Sequence, residues 1–230
     1  GGLLSAVGAK ASFAEARAEL APLPKSSCFP AGTLVDTPEG GRAIDALRVG
    51  DRVLAASNCS GDESGLTGIF ELIVVPLDAE QGLAQVTVLR SPNWLRQSGL
   101  DLGPALLTFT EQGLVGVGFL RSAASLAPPA SGSGSGSGSD GCLVTMTINR
   151  EAPELLEFAF DDGNVFRVTP THLIFSTRRG WTAAKDLDLG EALEHATGSA
   201  QIESVSTRAG SLQVYNIEVF GAHEYFAGTS

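Results

Sequence analysis

Cysteine is the strongest nucleophile a protein has near neutral pH, because a few per cent of an ordinary thiol is already thiolate. Cys28 stands at a junction, in KSSCFPAGTLVDTPEGG (25–41), with Pro22 and Pro24 just upstream and a strand-like run following. One reading is a small apolar residue that opens a strand. The sharper one is a nucleophile aimed at the peptide bond on its own amino side. Such a thiol needs a partner that delivers a proton to the leaving atom. The segment VFRVTPTHLIF supplies candidates, with Thr169 and His172 three positions apart. If 165–168 is a strand that Pro170 breaks, both residues face one pocket from a tight turn. His223 follows a Gly-Ala turn in VYNIEVFGAHEYFAG and precedes an aromatic pair, whereas His195, in ALEHATGS, reads as a solvated loop histidine with no role.

Three cysteines are too few for a disulfide framework. Cys59 and Cys142 sit in polar, Gly/Ser-rich stretches, so they are the pair to oxidise if any does. With three histidines and no C-x-x-C spacing, no metal cage is expected. The formal charge of −11, with no basic run, argues against a nucleic-acid surface. No apolar stretch approaches the roughly 20 residues that cross a bilayer. The start at GGLLSAVG, without Met, reads as a fragment of something longer.

The elements that must position these groups are mostly strands. At 230 residues, with 43% hydrophobic and 18% charged residues, the chain is globular. Residues 3–20 are Ala-rich and helix-forming up to Ala-Pro-Leu-Pro. From Cys28 onward, short Val/Ile/Thr/Phe runs recur between Gly, Asp and Pro punctuation: GTLVDT, DRVLAA, FELIVV, AQVTVLR, LLTFT, VGVGFL, LVTMTI, LEFAF, NVFRVT, HLIFST, AQIESV and QVYNIEV. This pattern predicts an all-β fold. Glu39-Gly40-Gly41, Asp162-Gly163-Asn164 and Ala209-Gly210 read as hairpin turns. Short helices are expected at 91–100 and around 183–187, Trp94 and Trp181 as core or hairpin anchors, and Asp51 as a turn cap. The stretch PPASGSGSGSGSDG (128–141) is a low-complexity spacer, artificial as readily as natural, that contributes no packing.

In combination the parts are more specific. The string C-F-P-A-G-T-L-V-x-T-x-x-G-x-x-x-I-x-x-L-x-V-G-D-x-V-L-A, from Cys28 to Ala55, resembles the opening block of Hint (hedgehog/intein) domains. Thr169-Pro-Thr-His172 is similar to the family's T-x-x-H block. GWTAAKDLDLGEAL (180–193) resembles the G-W-x-x-A-x-x-L-x-x-G-x-x-L stretch of bacterial members, and 214–228 their closing block. Residues 86–122 resemble an insert of Hint domains that precede the tails of polymorphic toxins. The resemblance covers 28–230, with an insert at about 60–127, the spacer at 128–141, and 1–27 as an upstream, partly helical segment.

The resemblance implies a horseshoe-like all-β fold and autocatalytic, single-turnover chemistry without a cofactor. Cys28 would attack the carbonyl carbon of Ser27, turning the Ser27–Cys28 peptide bond into a thioester. Strain at that bond would meet part of the cost. Thr169 would orient the amide, His172 would act as general acid, and His223 belongs to the same candidate set. The domain would act in cis as a monomer, with no nucleic acid partner and no membrane segment. Family analogy points to a secreted or cell-surface parent.

Departures qualify the comparison. Inteins end in His-Asn, whereas this sequence stops at AGTS; either the ending is truncated or the downstream cut is never made. Asn216 replaces an acidic residue common in inteins. Water or an added thiol is then the expected acceptor. The alternatives are hedgehog-type transfer to a sterol and an inert β-rich interaction module. A papain-like protease lacks the helix needed to acidify its cysteine.

Overall fold

The computed structural model describes residues 28–55, 59, 61–78, 81–126, 141–195, 198–222 and 225–228, with only the backbone at 194 and 195. The helix over 3–20, the spacer over 128–140, Ser27 and His223 lie outside these residues. In chain order the strands are β1 (Phe29–Pro30), β2 (Leu34–Thr37), β3 (Gly40–Ala43), β4 (Arg52–Val53), β5 (Gly68–Pro76), β6 (Ala84–Arg90), β7 (Ala105–Phe109), β8 (Leu114–Ser125), β9 (Cys142–Phe160), β10 (Val165–Val168), β11 (Leu173–Ser176), β12 (Gly180–Ala183), β13 (Ala192–His195), β14 (Gly198–Val219) and β15 (Ala227–Gly228). One α-helix, α1 (Trp94–Ser98), and two single 3-10 turns, Ile44–Ala46 and Ala184–Asp186, complete the described elements. The all-β expectation holds, and both short helices fall where the sequence places them.

Period-2 burial builds the strands. In β5, Phe70, Leu72 and Val74 point inward while Glu71 faces water. Each such apolar side chain contributes roughly 1.5–3 kcal/mol on burial. The sheet runs β12-β11-β13-β14-β9-β6-β5-β8-β7, and β1 pairs with β14. Its spine is the antiparallel pair of β9, 19 residues, and β14, 22 residues. Runs that read separately in the sequence, LVTMTI with LEFAF and AQIESV with QVYNIEV, are therefore two continuous strands. The polar link in β9 carries Pro153, which has no N–H for a ladder. The register shifts between Ala209 and Leu212 opposite it, with Gly210 at φ +143°. That bulge absorbs the proline. Ala209-Gly210 is thus a bulge within a strand, not a hairpin turn.

Two apolar clusters flank the spine. One gathers Phe29, Val35, Phe158 and Ile217; the other joins β5 and β6 to Met146 and Ile148 of β9. Trp94 lies against Phe70 at its edge, whereas Trp181, 52% exposed, meets Phe175 edge-on across the β11–β12 hairpin. Trp181 is a hairpin anchor and not a core residue. Cys59 and Cys142, left open by the sequence, form a disulfide with Cα atoms 5.5 Å apart. Among the described residues no helix is long and apolar enough to cross a membrane.

One local unit occurs twice, which the sequence reading missed. Strands β2 and β3 lead into Ile44–Ala46, as β11 and β12 lead into Ala184–Asp186. The Thr33 carbonyl accepts from Ile44 N–H at 2.8 Å, and the His172 carbonyl accepts from Ala184 N–H at 2.8 Å. Val-Gly-Asp (49–51) matches Leu-Gly-Glu (189–191), with Gly50 and Gly190 both at positive φ. Asp51 caps the first copy by accepting from Arg48 N–H at 2.8 Å, and Glu191 caps the second by accepting from Asp188 N–H at 3.1 Å. Glu191 also accepts from Ser176 Oγ and from Arg179 Nε (2.9 Å) and Nη2 (2.5 Å). Those bonds, Arg179 foremost, hold its carboxyl down to about 2 against the opposing effect of burial.

Glu191→Ala removes this acceptor and strands the Ser176 hydroxyl. With Arg179 partly solvated, the expected loss is roughly 2–3 kcal/mol, read as a lower urea midpoint at unchanged slope. An unmoved midpoint would make the pair a bystander.

Candidate functional site

Strand β1 lays the start of the described chain on β14, with Phe29 opposite Tyr215 and Pro30 opposite Val214. This seats Cys28, 1% exposed, among Ala152, Leu155 and Val214. A buried residue must pair its backbone polar groups, and Thr169 pairs both. Cys28 N–H donates to Thr169 Oγ1 at 3.0 Å, and the Cys28 carbonyl accepts from Thr169 N–H at 3.0 Å and from its hydroxyl at 3.2 Å. Thr169, itself 2% exposed, is held at the end of β10, which is paired to β9.

Pro170 then stops the strand and opens a turn, closed by His172 N–H donating to the Thr169 carbonyl at 3.1 Å. Proline suits this second turn position. The turn brings the His172 ring over the Phe29 ring, centroids 4.2 Å apart. Phe29 also meets Phe166 at 5.6 Å and Tyr225 at 6.2 Å, so its ring is the hub of an aromatic box beside Cys28. His172 is half-buried as a whole, but its Nδ1 is buried and has no hydrogen-bond partner among the described residues. Desolvation lowers its pKa from 6.5 to about 3, so the imidazole rests neutral at pH 7. Its one remaining ring N–H is only weakly acidic, so a proton it delivers as general acid must first be collected.

Tyr225 donates its hydroxyl to Asn216 Oδ1 at 2.9 Å, an oxygen that also accepts from Ile217 N–H at 2.8 Å. Burial, and then the charge of the nearby Cys28 sulfur, push the Tyr225 pKa up. Asn216, the departure noted in the sequence, is a buried strut for this tyrosine.

Of the residues named from sequence, the fold brings together Cys28, Thr169 and His172. Ser27 and His223 lie outside the described residues, as does the His195 side chain. One neighbour of Cys28 went unseen. Arg150 Nη2 donates to Cys28 Sγ at 3.6 Å, and Arg150 is 3% exposed. Its signal was present: Met146, Ile148, Arg150 and Ala152 share the inward face of β9, a charge in an apolar phase. Among the described residues no group of three or more His, Cys, Asp or Glu is placed to hold a metal ion.

No family model matches the sequence, and no curated protein matches it. Solved structures do. The chain is similar to a bacterial intein-like domain from Clostridium thermocellum at 19% identity and a TM-score of 0.46, over 89% of this chain and 94% of that one. It is also similar to the Msm DnaB1 intein splicing domain, solved with zinc bound, at 14% identity and TM-score 0.45, over 87% and 93%. For the MchDnaB-1 intein the values are 17% and 0.44, over 87% and 93%. At such identities these likenesses assign no residue role.

An unfolded imidazole titrates near 6.5 and the folded one near 3. The unfolded chain therefore binds the extra proton between these values, and stability falls as pH drops through that window. Glu191, lowered from 4.5 to about 2, adds its acid loss only below the His172 range's upper half. From about pH 6.5 to 5, the thermal midpoint should fall in wild type and fall less in His172→Gln. Equal slopes would refute a buried neutral imidazole.

Proposed function

We propose that residues 28–230 are a self-processing domain of the Hint (hedgehog/intein) type, which converts the Ser27–Cys28 peptide bond into a thioester on Cys28. One observation carries this reading: the amide nitrogen that must become the leaving group is the one whose N–H rests on Thr169 Oγ1 at 3.0 Å. Thr169 belongs to the T-x-x-H turn that also carries His172. Pairing both backbone groups is what any buried strand start requires; a neutral histidine on the same turn is not.

The chemistry follows from proximity. Sγ, Cβ, Cα and N of Cys28 and the carbonyl carbon of Ser27 close a five-membered ring, so attack is intramolecular and carries a large effective concentration. The neutral His172 takes the thiol proton as sulfur bonds to the carbonyl carbon. The same proton goes to the nitrogen as the C–N bond breaks, while Thr169 Oγ1 keeps that nitrogen oriented. Products are a thioester between Ser27 and the Cys28 sulfur and an amine on Cys28, with no change in oxidation state. Water or an added thiol then releases 1–27. The sequence resemblance and the similarity to intein domains agree with this reading, and it requires no cofactor or second chain.

The test is intact mass after incubation with dithiothreitol or hydroxylamine. Release of 1–27 is expected from wild type and none from Cys28→Ala. His172→Ala and Thr169→Ala should slow release about 10²-fold, and Thr169→Ala should also lose roughly 1–3 kcal/mol of stability through the orphaned Cys28 N–H. Stable single masses for wild type and Cys28→Ala alike would defeat the proposal.

A further inference from the structure

Arg150 stands out as the charged residue on the inward face of β9 beside the nucleophile. Its Nη1 donates to Gln81 Oε1 at 2.8 Å, its Nη2 to Cys28 Sγ at 3.6 Å, and its Nε is buried with no partner. Among the described residues no carboxylate pairs with it. Arginine does not shed its proton in a protein. A buried cation with only an amide oxygen and a sulfur for company is expensive to desolvate. A neutral thiol compensates it poorly; a sulfur bearing negative charge compensates it well.

We infer that Arg150 is a catalytic residue of the Cys28 acyl shift, its Nη2 N–H holding the sulfur as negative charge gathers there, and that Gln81 is the residue that positions it. This deepens the self-processing reading and rests on it. In the step, His172 removes the thiol proton, the S–C bond forms, the C–N bond breaks and the nitrogen takes the proton. The guanidinium stays protonated throughout. Gln81 follows β5, and its Nε2 donates to the Gly113 carbonyl at 3.3 Å, just ahead of β8. The arrangement therefore ties the β5–β8 part of the sheet to the attacking sulfur through two side chains, Gln81 and Arg150.

The experiment compares the full chain with Arg150→Met, Arg150→Lys and Gln81→Met for dithiothreitol-dependent release of 1–27 across neutral and mildly alkaline pH. Expected results are a loss on the order of 10²-fold in Arg150→Met, partial recovery in Arg150→Lys, and a smaller loss in Gln81→Met. The rising limb of the pH–rate profile should move to higher pH in Arg150→Met, because a nearby cation favours the charged sulfur. If wild type releases nothing, the self-processing reading fails and Arg150's role fails with it. If wild type is active and Arg150→Met keeps its rate, or slows with an unmoved profile and no recovery by Lys, the role of Arg150 is overturned while self-processing stands. Should Arg150→Met lose its near-ultraviolet circular dichroism, Gln81→Met decides: a wild-type rate and profile there overturn the proposal.

Discussion

The Cys28–Thr169 clasp is the constraint around which the site is organised. A backbone buried away from water must have its N–H and C=O paired, and an edge strand as short as β1 cannot do this through its ladder alone. One threonine, 141 residues away in sequence, meets both demands. Its main chain completes the pairing that β10 leaves off, and its hydroxyl reaches the cysteine nitrogen. The same contact that permits Cys28 to be buried also decides which atom the turn at Pro170 faces.

Two basic side chains accompany that clasp, and burial treats them oppositely. His172 sheds its charge, because an imidazole needs only a modest push to become neutral. Arg150, only 3% exposed, has no such option and retains its charge. The result is a neutral imidazole against Phe29 and a fixed cation on the Cys28 sulfur. Phe29, 4% exposed, packs against Phe166, Tyr225 and His172 beside Cys28, and burial makes each of these electrostatic effects larger than it would be at the surface.

The scaffold beneath is economical in its parts. A hairpin, a 3-10 turn and a Gly-acid cap appear once after Cys28 and again after Thr169. The first copy follows Cys28 and the second follows the turn that carries Thr169 and His172. In the first copy the acid pairs with Arg42 at 3.0 Å, and in the second with Arg179. In the long β9–β14 pair, the bulge at Gly210 opposite Pro153 lets two strands of this length continue where the ladder would otherwise break.

Much of this was legible from short windows. The alternation in FELIVV and AQVTVLR, the turn at Asp162-Gly163-Asn164, the short helix near Trp94 and the three-residue spacing of Thr169 and His172 all rest on neighbours along the chain. Local sterics and periodicity therefore suffice to read them. What failed also failed for a local reason: Ala209-Gly210 looks like a turn until Pro153 is seen opposite it. The tertiary structure alone decided the contacts that span the chain, with Cys28 to Arg150 separated by 122 residues and Cys59 to Cys142 by 83. Those depend on which strands pair and in which register, and a one-residue slip in β9 would turn Arg150 outward to solvent. The residue types that can react were written in the sequence; their meeting in one buried place was settled by the pairing of β1, β9, β10 and β14.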